Sequence, residues 1–368
     1  MPTDVTVPGD APPESPSTAR EDALGVVSAY GGNRRSGATY ALWWFGLALV
    51  VVLLAWLSLF VGARPVSATQ VWDALFSYAG SADRDQEVVV GYRIPRALLA
   101  IVVGAALGMA GSLIQRLMRN PLGDPQILGV NAGASFAVAI AVGFLGLTSM
   151  WSYIWFAFAG AVVAMAIVYG LGSAGRGRMT PVRVTMAGVA VTAVLTGAVR
   201  GIGLLNPDAF DALRIWEVGS LVGRNNSVLL AVLPFIVVGG ILAMGLARPL
   251  DAISMGDDLA TAMGVPVRRV RILTIIAVVL LCGAATAAAG PIGFVGLMVP
   301  HAVRMIAGVG GWWLTAFSML GGAALVLVSD VVGRVLVRPD EVPVGIVTAF
   351  VGAPILVILV RRLSSGTA

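Results

Sequence analysis

From Ala41 to Arg361 the chain is a succession of ten apolar runs. Each is close to the roughly 20 residues that a helix needs to cross the hydrocarbon of a bilayer. They fall at about 41–62, 94–116, 127–147, 151–172, 182–203, 227–247, 270–289, 293–308, 312–333 and 343–361. The eighth is short and broken by proline, and the third opens on Gly129, Asn131 and Gly133, which predicts an irregular start. Composition agrees. The 368 residues are 58% hydrophobic and 12% charged, with a mean hydropathy of +0.91. A soluble domain carries about 25% charge. Polar residues are too few to cover a globule in water, so the chain reads as an all-α polytopic membrane protein with about ten transmembrane helices.

All 24 basic residues are arginine. Without lysine there is no P-loop GxxxxGK[ST], so this chain does not bind ATP in the Walker manner, and no Schiff-base lysine exists. One cysteine, Cys282, and one histidine, His301, leave no zinc site, disulfide or Cys–His pair. No cofactor and no metal site are expected. The arginines are not interleaved with aromatics as in a nucleic-acid interface, so no nucleic-acid partner is expected. They follow the positive-inside pattern. With the N-terminus inside, Arg116, Arg119, Arg176, Arg178, Arg248, Arg268, Arg269, Arg271, Arg304, Arg361 and Arg362 all fall in cytosolic segments, and both termini are cytosolic. Arg93, Arg96, Arg200, Arg214, Arg224 and Arg334 lie outside or near outer ends. Residues 1–40 are rich in Pro, Ser, Gly and charge and carry no signal peptide, which predicts a disordered cytosolic tail before a permease domain over 41–362.

Charge inside the spans is scarce. Asp330 and Arg334 stand four apart and can pair on one helix face. A proton-coupled transporter would show buried carboxylates in mid-span, and Asp330 is the one candidate. Gly104, Gly108 and Ser112 recur every fourth residue, a face that permits close helix contact. "GPIGFVGLMVPH" (290–301) and "PVGIVTAFVGAP" (343–354) hold Gly and Pro at a density that bends or breaks helices; they read either as pathway segments or as packing.

"SMGDDLATAMGVPVRRVR" (254–271) is different: a polar stretch between two spans. Asp257 and Asp258 suit a helix N-terminus. Leu259 and Met263 share a face. Gly264 can end the helix in a left-handed cap, and Pro266 discourages continuation. A helix of about two turns is marginal alone. It either lies on lipid or is ordered by a partner.

Several long stretches resemble the FecCD-type permeases, the membrane subunits of ATP-driven importers for ferric siderophores, haem and vitamin B12. They are "RIPRALLAIVVGAALGMAGSLIQRLMRNPLGDPQILGVNAGAS" (93–135), "AGVAVTAV" (187–194), "GDDLATAMGV" (256–265), "GPIGFVGLMVPHAVR" (290–304) and "SDVVGRVLVRPDEVPVGIVTAFVGAPILVILVRR" (329–362). The resemblance implies the type II ABC importer fold of the vitamin B12 permease. It implies a transport subunit, not an enzyme, with cytosolic ABC ATPase subunits as partners. A second permease chain, identical or related, and an extracytoplasmic substrate-binding protein complete the assembly in membrane lipid.

In that family the segment between helices six and seven is the coupling helix, inserted into a cleft on the ATPase. The resemblance assigns this role to Gly256, Asp258, Leu259, Ala260, Met263 and Gly264, with Met263 where leucine is common. It assigns docking of glutamates on the binding protein to Arg93 and Arg96 of the "RxPR" motif and to Arg334, which the Asp330 pairing could instead occupy. It assigns the cytosolic gate to Asn120, Pro121 and Leu122. A second gate loop, which carries small hydroxyl residues in the B12 importer, here reads "MTPVRV", with Pro181 and Val182 in their place; this departure argues against B12. His301 has no partner ligands, and a siderophore already saturates its iron. Ferric siderophore, the commonest cargo of the family, is the expected cargo, with haem and vitamin B12 as alternatives. A secondary transporter, an exporter or channel subunit and a membrane enzyme are the remaining rivals.

Overall fold

The computed structural model of the chain describes residues 36–62, 66–77, 84–147, 149–174 and 181–365. Most of the tail expected over 1–40, Arg64, Arg176, Arg178, and Met179 and Thr180 of the second gate lie outside them. Contacts divide the chain into two units, Met1–Ala41 and Leu42–Ala368. In the first, the described residues are Ser36–Ala41, where the Ser36 hydroxyl accepts from the Thr39 N–H at the start of a helix.

The described residues are all helix and connection. The spans are α1 Gly37–Phe60, α3 Arg84–Leu117, α4 Val130–Gly143, α5 Met150–Ser173, α6 Pro181–Leu205, α8 Asn226–Ser254, α10 Val267–Ala289, α11 Val295–Ala307, α12 Gly311–Leu336 and α13 Val344–Ser365. Shorter helices are α2 Ala68–Phe76, α7 Pro207–Trp216 and α9 Asp257–Ala262. Every apolar run is a helix, and seven are long and apolar enough to cross a bilayer unaided. The third run, expected over 127–147, is helical only from Val130 to Gly143. It is preceded by a tight 3₁₀ turn at Pro125–Leu128 and by Gly129 in the left-handed region at φ 79°. The second run extends ten residues earlier than the apolar pattern suggests, through a π turn at Val88–Arg93.

Two short helices had no apolar signal. α2 starts at a capping box: Gln70 N–H donates to the Ser67 hydroxyl at 3.3 Å, and Ser67 N–H donates to Gln70 Oε1 at 2.9 Å. It buries Val71 and Ala74 against Val89. α7 starts at Asn206, whose Oδ1 accepts from Ala209 N–H at 3.0 Å while its Nδ2 donates to the Gly143 carbonyl at 2.9 Å. That clasp folds α7 back over the last turn of α6, against the end of α4.

α3 is the central helix, buried along most of its length and packed on α12, α8, α11 and α10. Its antiparallel contact with α12 runs along most of the helix and leaves no space for side chains. A Cβ at Gly104 would overlap the Gly322 carbonyl, and one at Gly108 would overlap the Ser318 carbonyl. Ser112 continues the face by donating to Thr315 Oγ1 at 3.2 Å. Close backbone approach of this kind substitutes for the hydrophobic drive that lipid cannot supply.

Gly108→Leu should therefore destabilise the protein by about 1–3 kcal/mol, the range for overpacking. Gly245→Leu, at a position in α8 with open space around it, should not. Thermal unfolding of the two purified variants in detergent checks this.

Candidate functional site

The two ends of the α3–α12 pair carry different chemistry. At one end, Asp257 opens α9 and is held by two arginines from distant parts of the chain. Arg271, on α10, donates to both carboxylate oxygens at 3.0 and 2.9 Å. Arg119, just past the end of α3, pairs with Asp257 and also donates through Nε to the Ile253 carbonyl at 2.9 Å. The six-residue helix is thus pinned to α3, α8 and α10. Gly256 enters it at φ 131° and Gly264 leaves it at φ 80°. Val265 N–H closes the end on the Ala260 carbonyl at 2.9 Å.

Ala260 is buried underneath, whereas Leu259 and Met263 are 44% and 61% exposed. Two apolar side chains thus stand outward together on a helix whose polar residues hold it in place. Leu259, Ala260, Met263 and the two glycines lie where the sequence placed them; Asp258 sits in the same first turn. Sequence reasoning missed Asp257 as the anchor, since nothing local links it to Arg119.

The loop after α3 adjoins this end. Asn120 N–H donates to the Gln115 carbonyl at 3.0 Å, and Asn120 Oδ1 accepts from Leu122 N–H at 2.9 Å. Asn120 and Pro121 are exposed and Leu122 is half-buried. Asp124 caps the following turn, accepting from Gln126 N–H at 2.8 Å. Gln126 in turn donates to the Ile292 carbonyl at 2.8 Å, tying this loop to the irregular entry of α11. Burial pushes the Asp124 carboxyl from 3.8 up to about 6, against the opposing pull of the Gln126 N–H. His301, on α11, faces apolar residues of α11 and α13. Among the described residues no three His, Cys, Asp or Glu side chains are gathered to hold a metal ion.

At the other end the structure brings Arg96 and Arg334 together on one carboxylate, while Arg93 and Arg334 both close on the last turn of α1. Asp330 is 1% exposed. Its Oδ1 accepts from Arg96 Nε and Nη2 at 2.9 and 2.8 Å, and its Oδ2 pairs with Arg334. The Asp330–Arg334 pairing expected from the four-residue spacing is present. Arg334, also 1% exposed, donates to the Ser58 and Val61 carbonyls at 2.8 and 3.0 Å. Arg93 is buried and donates to the Leu59 and Phe60 carbonyls at 2.6 and 3.2 Å, closing the end of α1. Arg96 Nη1 donates to Glu341 Oε2 at 2.5 Å.

The sequence reading placed these arginines against a partner's carboxylates. Here their donors face this chain's own groups. A guanidinium left bare beside lipid is costly, so the fold supplies acceptors. Glu341, which sequence reasoning missed, is brought over Arg96 because Val342 N–H donates back to the Gly333 carbonyl at 3.0 Å.

The sequence profile of the FecCD transport family matches residues 49–362. The ferric enterobactin transport system permease protein FepD of Escherichia coli (strain K12) is 46% identical over 323 residues, covering 88% of this chain and 96% of its own length. The probable siderophore transport system permease protein YfiZ of Bacillus subtilis (strain 168) is 35% identical over 322 residues, 87% of this chain and 96% of that one. A solved structure described as an inward-facing conformation of a metal-chelate type ABC transporter superposes with a TM-score of 0.76 at 28% identity. It covers 87% of this chain and 98% of that one.

Two outcomes follow. Asp330→Ala leaves Arg96 and Arg334 without their shared acceptor and should cost about 3–5 kcal/mol, read by unfolding in detergent. Asp124 holds its proton more tightly folded than unfolded, so between about pH 4 and 6 stability should fall as pH rises. Asp124→Asn, which keeps the cap, should flatten that dependence in melting curves taken across the window.

Proposed function

The chain belongs to the FecCD transport family, as a multi-pass permease subunit of an ABC importer with ATP hydrolysis on a separate subunit, and from that premise we propose that its cargo is a ferric siderophore. The siderophore and ferric enterobactin transport named for YfiZ and FepD supports this cargo over haem or vitamin B12. Pro181 and Val182 in place of small hydroxyl residues also count against vitamin B12.

One observation carries the coupling part of the reading. α9 is a short helix clamped at Asp257 by Arg119 and Arg271, and its two large apolar side chains, Leu259 and Met263, face outward. A clamped helix transmits force to the bundle instead of sliding over it, and an exposed apolar pair fits a cleft on a cytosolic ATPase. Gly256, Asp258, Ala260 and Gly264 shape that contact. This end is cytosolic, and both termini are then cytosolic. Asn120, Pro121 and Leu122 form the inner gate beside the clamp, so movement of α9 reaches the gate through Arg119.

The opposite end receives the extracytoplasmic binding protein, and a second permease chain completes the path. Arg93 and Arg334 brace this surface. Arg96 is the contact residue. It already holds Asp330 with one edge and Glu341 with the other, and Glu341 is 21% exposed. A carboxylate on the binding protein exchanges for Glu341 on Arg96 Nη1.

Leu259→Asp should abolish radio-iron uptake as ferric siderophore in iron-limited cells and release the ATPase during purification, with the permease still present in the membrane. Full activity with the ATPase retained sinks the coupling role. For docking, Glu341→Gln should tighten binding-protein affinity and Arg96→Ala should weaken it, by about tenfold each, with a salt dependence that Arg96→Ala reduces. Unchanged affinity in both removes Arg96 from the interface.

A further inference from the structure

We propose that Arg200 and Arg214 form a two-arginine subsite that selects anionic metal chelates, those presenting catecholate or carboxylate oxygens, over neutral ones. The proposal rests on the reading that the cargo is a metal chelate entering at the Arg96 end.

Arg200 stands in the last turns of α6, an apolar helix of 25 residues and one of the two least buried of the seven long spans among the described residues. The buried arginines of the long spans have acceptors: Arg93 and Arg334 donate to backbone carbonyls, and Arg116 to the Thr315 hydroxyl at 2.5 Å and the Ala247 carbonyl at 2.9 Å. Arg200 is exposed and has no hydrogen bond or ion pair among the described residues. Gly197 and Gly201 flank it with open space where their side chains would be, so its guanidinium has room. A bare arginine costs several kcal/mol in hydrocarbon, which marks this face as lining water or a pathway.

The clasp at Asn206 brings α7 back over the same turns. It places Arg214, also exposed and without a partner among the described residues, on the wall of a cavity of about 490 Å³ shared with Arg200. Phe210 and Leu213 of α7 and Val199 of α6 supply an apolar wall. The volume falls within the roughly 300–1,000 Å³ of small-molecule sites. Glu217 is the remaining charged group on the lining and forms no ion pair with either arginine. Two cations and one anion leave a net positive site. Guanidinium forks match the paired oxygens of a catecholate or carboxylate, and the single positive excess lets the ligand leave again.

The cavity lies at the Arg96 end. α6 runs away from the Pro125–Leu128 turn, which it meets at Gly188, and α7 leads into Val218 and Gly219. Gly219 in turn accepts from Gly345 N–H at 3.0 Å at the start of α13. A chelate released by the binding protein meets this subsite before the path narrows.

The test uses the assembled transporter and two radio-iron probes, an anionic tris(catecholate) and a neutral tris(hydroxamate) chelate. The wild type should prefer the anionic chelate. Arg200→Gln and Arg214→Gln should each raise KM for it by about tenfold, the loss of one charge-assisted contact, with the maximal rate, uptake of any neutral chelate and ATP hydrolysis unchanged. Arg200→Lys should restore most of the loss. Equal loss for both probes, or loss of ATP hydrolysis, overturns the proposal and points to a structural or lipid-headgroup role. A wild type that prefers the neutral chelate also overturns it. Uptake of neither probe removes the metal-chelate reading itself, and the subsite with it.

Discussion

The close antiparallel contact between α3 and α12 is what the rest of the bundle depends on. In lipid, apolar surface gains little by leaving its surroundings, so helices associate where their backbones fit. Gly104 and Gly108 face Gly322 and Ser318 with no space for a side chain between them. This fixes register as well as distance. One end of the pair then sets Arg96 against Asp330, and the other sets Arg116 against Thr315, within about 30 Å of helix. Polar groups at both ends are satisfied only because the register is right, and a slip of one turn would strand an arginine at each.

The two ends share a principle and differ in what they leave over. Around Asp330 two arginines, Arg96 and Arg334, are drawn inward, and with Arg93 on the end of α1 they seal α1, α3 and α12 into one rigid cap. Around Asp257 two arginines hold a helix too short to be stable alone, and its two large apolar side chains, Leu259 and Met263, stay exposed. The first arrangement resists deformation. In the proposed coupling role the second is a handle: a push on α9 would be carried through Asp257 to Arg119 beside the loop 120–122 and to Arg271 on α10. Arg200 and Arg214 belong to neither network, which is why their bare charge carries weight.

The ten spans were legible because their signal is local: apolar residues in runs of bilayer length. So was α9, through its acidic start, its Leu259/Met263 spacing and Gly264. The small-residue face at 104–112 was legible as a face but not as the partner of α12, since Gly322 and Ser318 carry no mark of complementarity in the sequence. α2 and α7 were invisible to a search for long apolar runs; their caps at Ser67 and Asn206 were the signals available. The electrostatic clamps were the least legible. Asp257 meets Arg119 across 138 positions and Arg96 meets Glu341 across 245, and such pairs arise from the fold alone. The inward acceptors of Arg93 and Arg334 were hidden for the same reason, since a long cationic side chain at the edge of a span seeks the nearest acceptor and the carbonyls of α1 are brought there only by the fold.

The most direct measurement is accumulation of a radio-iron chelate in proteoliposomes holding this chain with its co-purifying ATPase, supplied with binding protein outside and either ATP within or an imposed proton gradient. The expected result is accumulation that requires ATP and binding protein and ignores the gradient. Accumulation driven by the gradient without ATP would contradict it, and would make Asp330 a proton-carrying group instead of the anchor of a rigid cap.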